Sequence, residues 1–331
     1  MRNQATSHVR DNVSPIADRP SPFAPFHQQR RAAHDFQRWK LGRAHSRQYF
    51  INQSEMTLSD TMLDTEPFSS LVGEQIIQLI FEKAPTKVFN RIAKSLEHYT
   101  RAARLQGIDD EMGIIRLIAA EEELVVAIFE WIKLNAQHLP EHGDFIGKYK
   151  NHRVKLAFYP VLSQLGFVLD GMFSNGVSFE GLEDVLRWHV RAVRHEDKVT
   201  LQVTDSGGVK ILDFNPLDLA ITQDERTEQE VVDALFADLT ETVMEQRSMT
   251  LREFVTSRAD FRNKLLYAED GATFSMKESL EYLIEKVVAP SLQALLWCLA
   301  TLLTNKPTMR SWGLVSQFMH LYRKVLRECK L

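Results

Sequence analysis

Cysteine is almost missing from this 331-residue chain: Cys298 and Cys329 are the only two. Two thiols build neither a disulfide framework nor a four-cysteine zinc site. Cys298 stands in an apolar run, where a small buried residue is the expected role. The familiar catalytic strings are missing as well. There is no G-x-G-x-x-G, Walker A, H-E-x-x-H, EF-hand loop or G-x-S-x-G, so the commonest nucleotide, metal and hydrolase readings drop out. No βαβ rhythm runs along the chain, which excludes Rossmann and barrel folds. The start lacks the apolar core of a signal peptide. The longest uncharged apolar stretch, 287–303, is broken by Pro290 and Gln293. It falls short of the roughly 20 residues of a spanning helix. A buried central helix is expected there, with no membrane insertion and a cytoplasmic location.

What is present is ordinary globular composition, 44% hydrophobic and 25% charged, with a formal net charge of −4. That balance argues against a surface coated by nucleic acid, while leaving room for a local basic groove. The charge is uneven. Residues 1–50 hold nine Lys or Arg against three acids, and "SPIADRPSPFAPF" adds prolines without an apolar period. A disordered basic leader over 1–66 is expected, with an organellar transit peptide or a nucleic-acid arm as other readings of the same composition.

Helical periodicity begins near Pro67. Val88, Ile92, Leu96, Tyr99 and Ala103 form one stripe that ends at Gly107. Asp109 can cap the strongest helix, whose face includes Ile114, Leu117, Leu124, Val125 and Ile128. "KVTLQVTDSGGVKILDF" alternates on both sides of a Gly-Gly turn and predicts a β-hairpin lying against the helices. After it come a helix over "ERTEQEVVDALFADLTETVMEQR", two short helices with a break across "SMTLREFVTSRADFRNKLLYAEDG", and a proline-bent long helix with Ser275 and Glu278 as its capping box. The expected fold is mainly α: a multi-helix bundle with one small β-hairpin insertion. The expected divisions are a first helical unit over 67–175, the insertion over 176–222 and a second helical unit over 223–331.

Five residues carry the candidate chemistry: Arg262, Asn263, His152, Arg153 and His195. Arginine offers five fixed donors that clamp a phosphate or knit helix ends together. His152 and Arg153 lie in the cationic, aromatic stretch "KYKNHRVKLAFYP", and His195 in "LRWHVRAVRHEDK". Such clusters suit a polynucleotide backbone, a docking face or pairing with acids elsewhere in the chain. Glu121, Glu122 and Glu123 turn by about 100° per residue, so they cannot all face water on an embedded helix. A buried pair with Arg116 or an arginine from another helix is expected. His138 and His142 are spaced i,i+4, but Pro140 stands between them and weakens a metal pair. No metal or cofactor is expected.

"YTRAARLQGIDDEMGIIRLIAAEEELVVAIFEWIK", "YKNHRVKLAF" and "ADFRNKLLYAEDG" together resemble the helical domains of the HEPN superfamily, nearest to its abortive-infection group in bacterial phage defence. The resemblance covers about 86–165 and 225–327. It implies a helical core, RNA or a protein as partner, a homodimer and, in active members, metal-independent RNA cleavage. Their motif is an arginine, often followed by asparagine, with four to six residues between the arginine and a histidine. Arg262-Asn263 matches its first half, but Leu266–Ala268 hold no histidine. Arg191 and His195 are one residue too close, and the full-spacing matches Arg2/His8 and Arg38/His45 fall in the leader. The leading expectation is therefore a helical binding or assembly protein with a HEPN-like core, in stress or phage defence. The alternatives are a metal-independent endoribonuclease, drawing its histidine from elsewhere, and a small-molecule enzyme with an unfamiliar pocket.

Overall fold

The computed structural model describes residues 64–135, 144–174, 189–205, 207–222, 226–266, 279–306 and 313–331. The basic leader up to residue 63, the His138/His142 pair, Arg187 and the Ser275/Glu278 pair lie outside these residues.

The described residues form a multi-helix bundle with one small sheet. Helix α1 (Glu66–Val72) passes into α2 (Glu74–Lys83) through Gly73 at φ 91°, a conformation that side chains disfavour. Helix α3 (Thr86–Leu105) buries Val88, Ile92, Leu96 and Tyr99, the stripe its periodicity predicts. Helix α4 (Asp110–Leu134) starts where Asp109 accepts a hydrogen bond from the Met112 amide at 3.0 Å. Its apolar residues are buried nearly all round, which makes it the central helix of the bundle. Helices α5 (His152–Leu156) and α6 (Phe158–Ser174) follow it.

The second half of the chain packs on the same core. Helix α7 (Glu228–Arg247) opens with a Thr227/Glu230 capping box. Helix α8 (Leu251–Leu266) is continuous, where the sequence suggested two short helices with a break. Its buried residues Leu251, Val255 and Ala259 keep a single face inward, and burial of that face overrides the weak local propensity. Helix α9 (Leu280–Leu283), capped by Ser279, leads through a π turn (Ile284–Val288) into α10 (Ala289–Thr304). Pro290, which has no N–H to donate, follows this π turn directly, inside a helical segment that runs unbroken from Leu280 to Thr304. Leu292, Leu295, Leu296 and Leu299 of α10 are fully buried. By length and composition Leu280–Thr304 is apolar enough to cross a membrane, and 44% of its most apolar window is buried inside the bundle. Helix α11 (Leu314–Glu328) closes the chain, and Phe129, Phe145, Phe158, Phe318 and Tyr322 form an aromatic cluster with it.

Gly113 sits where a Cβ would come 2.5 Å from Leu280 Cδ2, so α4 and α9 touch through a leucine side chain that must move for any larger residue.

The sheet has three antiparallel strands, in the order β1 (His189–His195), β2 (Lys198–Thr204), β3 (Lys210–Phe214). The predicted hairpin is β2–β3, pairing Leu201 with Phe214 and Val203 with Leu212. Asp205 closes its turn by accepting from the amides of Gly207 and Val209 at 2.9 and 2.8 Å. The additional strand, β1, comes from the basic stretch read above as a contact cluster. Its turn holds only Glu196 and Asp197, and Glu196 sits at φ 55°. Val199 and Val203 face the core, and Asn305 Nδ2 donates to the Val199 carbonyl at 2.8 Å.

Candidate functional site

The site is built where α4, α5 and α8 meet. Asn151 caps α5, accepting from the Arg153 amide at 3.0 Å, and so fixes His152 as the first residue of the helix. From the other side, the buried Tyr322 hydroxyl donates to the Val154 carbonyl. The short helix is therefore pinned against the aromatic cluster.

Three consecutive glutamates of α4 reach three separate sets of partners. Glu121, about 3% exposed, takes a two-pronged contact from Arg258 Nη2 at 2.8 and 2.9 Å. It also accepts from the Ser291 hydroxyl of α10 at 3.0 Å. Glu122, 6% exposed, lies 2.6 Å from both Lys155 Nζ and His152 Nδ1. Glu123 meets Arg91 of α3 at 3.0 Å. The buried Glu–Arg pair expected between helices is present, with Arg258 as its arginine. Arg116 instead donates to His98 Nδ1 at 3.2 Å. Burial, followed by the charges of Lys94 and Arg116, holds the His98 imidazole below its ordinary value.

Arg262 comes to His152. Its Nη1 lies 3.1 Å from Nε2 and 3.4 Å from Nδ1. A carboxylate oxygen only accepts, so the short contact with Glu122 places the imidazole proton on Nδ1. Arg262 Nη1, nearly equidistant from the two ring nitrogens, lies over the face of the imidazole and leaves the in-plane Nε2 lone pair open. His152 keeps 44% of its side chain exposed, whereas Glu122 behind it is enclosed. A half-exposed imidazole oriented by a buried carboxylate is an arrangement that suits a base.

Among the described residues Arg262 has no carboxylate partner; its contact is the imidazole. Arg153, one residue beyond His152, is held by Asp260 of α8 at 3.1 Å. Asn263 is exposed on the next position of α8. Of the five residues singled out in the sequence, three are thus gathered here, and Asn263 lies beside them. His195 is elsewhere. It ends β1 opposite Lys198, in a turn tied to α2 by Lys83–Asp197 at 3.1 Å and by Arg194 donating to the Gln75 carbonyl at 3.0 Å. The sheet's geometry takes it away from α5, so it belongs to a different surface.

The residues missed from sequence are Arg258, Glu122 as the partner of His152, and Lys155 as a buried counter-charge. Arg258 and Arg262 stand one turn apart on α8, and that i,i+4 spacing opposite a Glu-Glu-Glu run was the available signal. The other cations of "KYKNHRVKLAFYP" disperse: Lys150 lies over the Tyr149 ring, and Lys148 reaches the Leu331 carbonyl. Among the described residues no group of three metal-ligating side chains occurs. Burial raises the Cys298 thiol to about 12 and the Cys329 thiol to about 11, which leaves both poor nucleophiles at neutral pH.

No protein-family model, curated protein or solved structure matches this chain.

Proposed function

We propose that this chain binds RNA at the His152–Arg262 pair and cleaves it without a metal, on a helical core of HEPN-like kind. One observation carries the reading. A half-exposed imidazole, oriented by the buried Glu122, lies 3.1 Å from the Arg262 guanidinium, which among the described residues has no carboxylate partner.

The chemistry follows from those roles. An incoming phosphodiester draws the Arg262 fork from the imidazole to its non-bridging oxygens, because a guanidinium binds an anion more strongly than a neutral ring. Nε2 takes the proton of the neighbouring 2′-hydroxyl. The 2′-oxygen attacks phosphorus, Arg262 neutralises the charge that builds on the phosphorane, and the bond to the 5′-oxygen breaks. The proton held by His152 passes to that leaving oxygen, giving a 2′,3′-cyclic phosphate and a 5′-hydroxyl. Glu122 keeps the ring oriented and stabilises its charged form.

A second reading is a binding or assembly protein in which the same contacts only join helices. The buried Lys155–Glu122 pair at 2.6 Å favours it, since that pair already links α4 to α5.

The test is incubation of a mixed panel of end-labelled RNAs with the purified chain in excess EDTA. Cleavage to cyclic-phosphate ends is expected, falling about 10²–10⁴-fold in His152→Gln. Arg262→Ala is expected to lose both cleavage and RNA affinity, with folding of each variant confirmed by circular dichroism. Intact RNA with unimpaired binding in the wild type would select the second reading.

A further inference from the structure

The outer face of α3 carries a cationic ridge. Lys87, Arg91, Lys94, His98 and Arg101 follow one another at alternating steps of four and three residues, the spacing that keeps side chains on one helix face. From Lys87 to Arg101 the ridge rises about 21 Å, with a basic residue at every turn. The opposite stripe, with Val88, Ile92, Leu96 and Tyr99, is buried, and the Ser95 hydroxyl donates to the Ala120 carbonyl of α4 at 2.6 Å. Packing of that stripe turns the ridge to solvent: Lys87 is exposed, and Lys94 and Arg101 are about half exposed.

Charge on the ridge is one-sided. With Arg116 of α4, which donates to His98, it holds five permanent cations against the carboxylates of Glu97 and Glu123, a balance of +3 on a chain of net charge −4. Glu97 is shared by Lys94 at 2.8 Å and Arg101 at 2.6 Å, and Glu123 is taken by Arg91 at 3.0 Å. Among the described residues, Lys87 and Arg116 have no carboxylate partner. His98 adds no charge at neutral pH, because burial, then Lys94 and Arg116, hold its imidazole below the ordinary value. The acids of the α3–α4 turn come after the ridge has ended. There Asp109 caps α4 and Asp110 accepts from the Gly107 amide at 2.7 Å.

A regular row of cations suits a polyanion whose charges are themselves regularly spaced. Two observations select a nucleic-acid strand. No large apolar side chain is exposed between Lys87 and Arg104, so the ridge lacks the anchors used at a membrane surface or a protein hot spot. The ridge also passes beside the proposed site. Glu122, which orients His152, and Glu123, which holds Arg91, are consecutive on α4 and stand about 100° apart around it. We infer that the α3 ridge binds the sugar-phosphate backbone of the RNA strand whose reacting phosphate lies at His152–Arg262. The ridge thereby favours strands longer than the site itself. This inference takes its ligand from the RNA reading but does not depend on cleavage.

Fluorescence anisotropy on the full chain tests it with 2′-O-methyl RNAs, which lack the attacking hydroxyl and stay intact. Labelled single strands of about four and about sixteen nucleotides cover the range of single-strand site sizes. The long strand is expected to bind at least about tenfold more tightly than the short one. Lys87→Gln/Lys94→Gln/Arg101→Gln is expected to remove most of that gain. It should also make the log–log salt dependence shallower by about two, since each lost phosphate contact contributes about 0.7. Lys210→Gln/Arg226→Gln/Arg327→Gln takes the same charge from exposed positions on other parts of the chain and is expected to alter neither quantity. No binding of the long strand, no gain with length, full affinity in the ridge variant, or equal weakening in the other triple variant would each overturn the inference. Attachment to phosphatidylserine vesicles in place of the long strand would overturn it too, and would assign the ridge to a membrane surface. Ridge-dependent binding with no cleavage of ordinary RNA in EDTA sustains the ridge and fails the catalytic reading. Cleavage that persists while binding ignores the ridge fails the ridge alone.

Discussion

Replacing Arg258 by methionine tests whether the buried charges of α4 hold the bundle together. Arg258 is 18% exposed at its side chain and Glu121 3%. Methionine keeps the aliphatic stem of the arginine but removes both prongs on Glu121, the bond to the Leu156 carbonyl at 3.3 Å and the stacking over Tyr159 and Phe254. Glu121 would then be left in the core with the Ser291 hydroxyl as its remaining donor. Stranding one member of a buried pair costs about 3–5 kcal/mol. Loss of cation–π contact is part of that figure, at about 0.5–2 kcal/mol. The double variant Glu121→Leu/Arg258→Met removes both charges, and apolar replacement of a buried pair is often neutral or better. Urea denaturation of wild type, both single variants and the double variant closes the cycle. The expected result is two destabilised singles and a double near wild type, so that the coupling is about as large as the two single losses together. A loss under about 1 kcal/mol in Arg258→Met, or a double as weak as the two singles added together, would refute the claim that Glu121 is enclosed and dependent on Arg258.

Two more outcomes follow from the packing. His98 is held below its ordinary value of 6.5 by burial, then by Lys94 and Arg116, with Glu123 and Glu97 opposing. The unfolded chain therefore binds this proton more readily than the folded one. The contribution is fully present above pH 6.5 and is lost as pH falls below it. His98→Gln should flatten the fall in stability between pH 7 and 5, read as unfolding midpoints at each pH; an unchanged slope would remove His98 as its source. Gly113→Ala gains about 1 kcal/mol of helix propensity but forces the fully buried Leu280 to move, at about 1–3 kcal/mol. A net loss of up to about 2 kcal/mol is expected, and Leu280→Ala in the same chain should relieve the clash while opening space of its own.

Much of this protein was settled by local pattern. The α3 stripe, the Asp109 cap, the Asp205 turn and the mainly α class follow from periodicity and capping chemistry acting over a few residues. The strand β1 was not legible, because its arginines and histidines break the apolar alternation that marks a strand. Its backbone is held by pairing with β2 instead. The continuous α8 was likewise decided by the core it buries. The site itself belongs almost wholly to tertiary structure. A sequence can place Arg262 and Asn263 side by side, and it can show that no histidine follows at the family spacing. Bringing His152 across 110 positions required α4 to offer Glu122, α5 to be pinned by Tyr322, and α8 to run unbroken past both. Local rules govern which residues share a helix face. Only packing, which trades the burial of one helix against all the others, determines which faces meet.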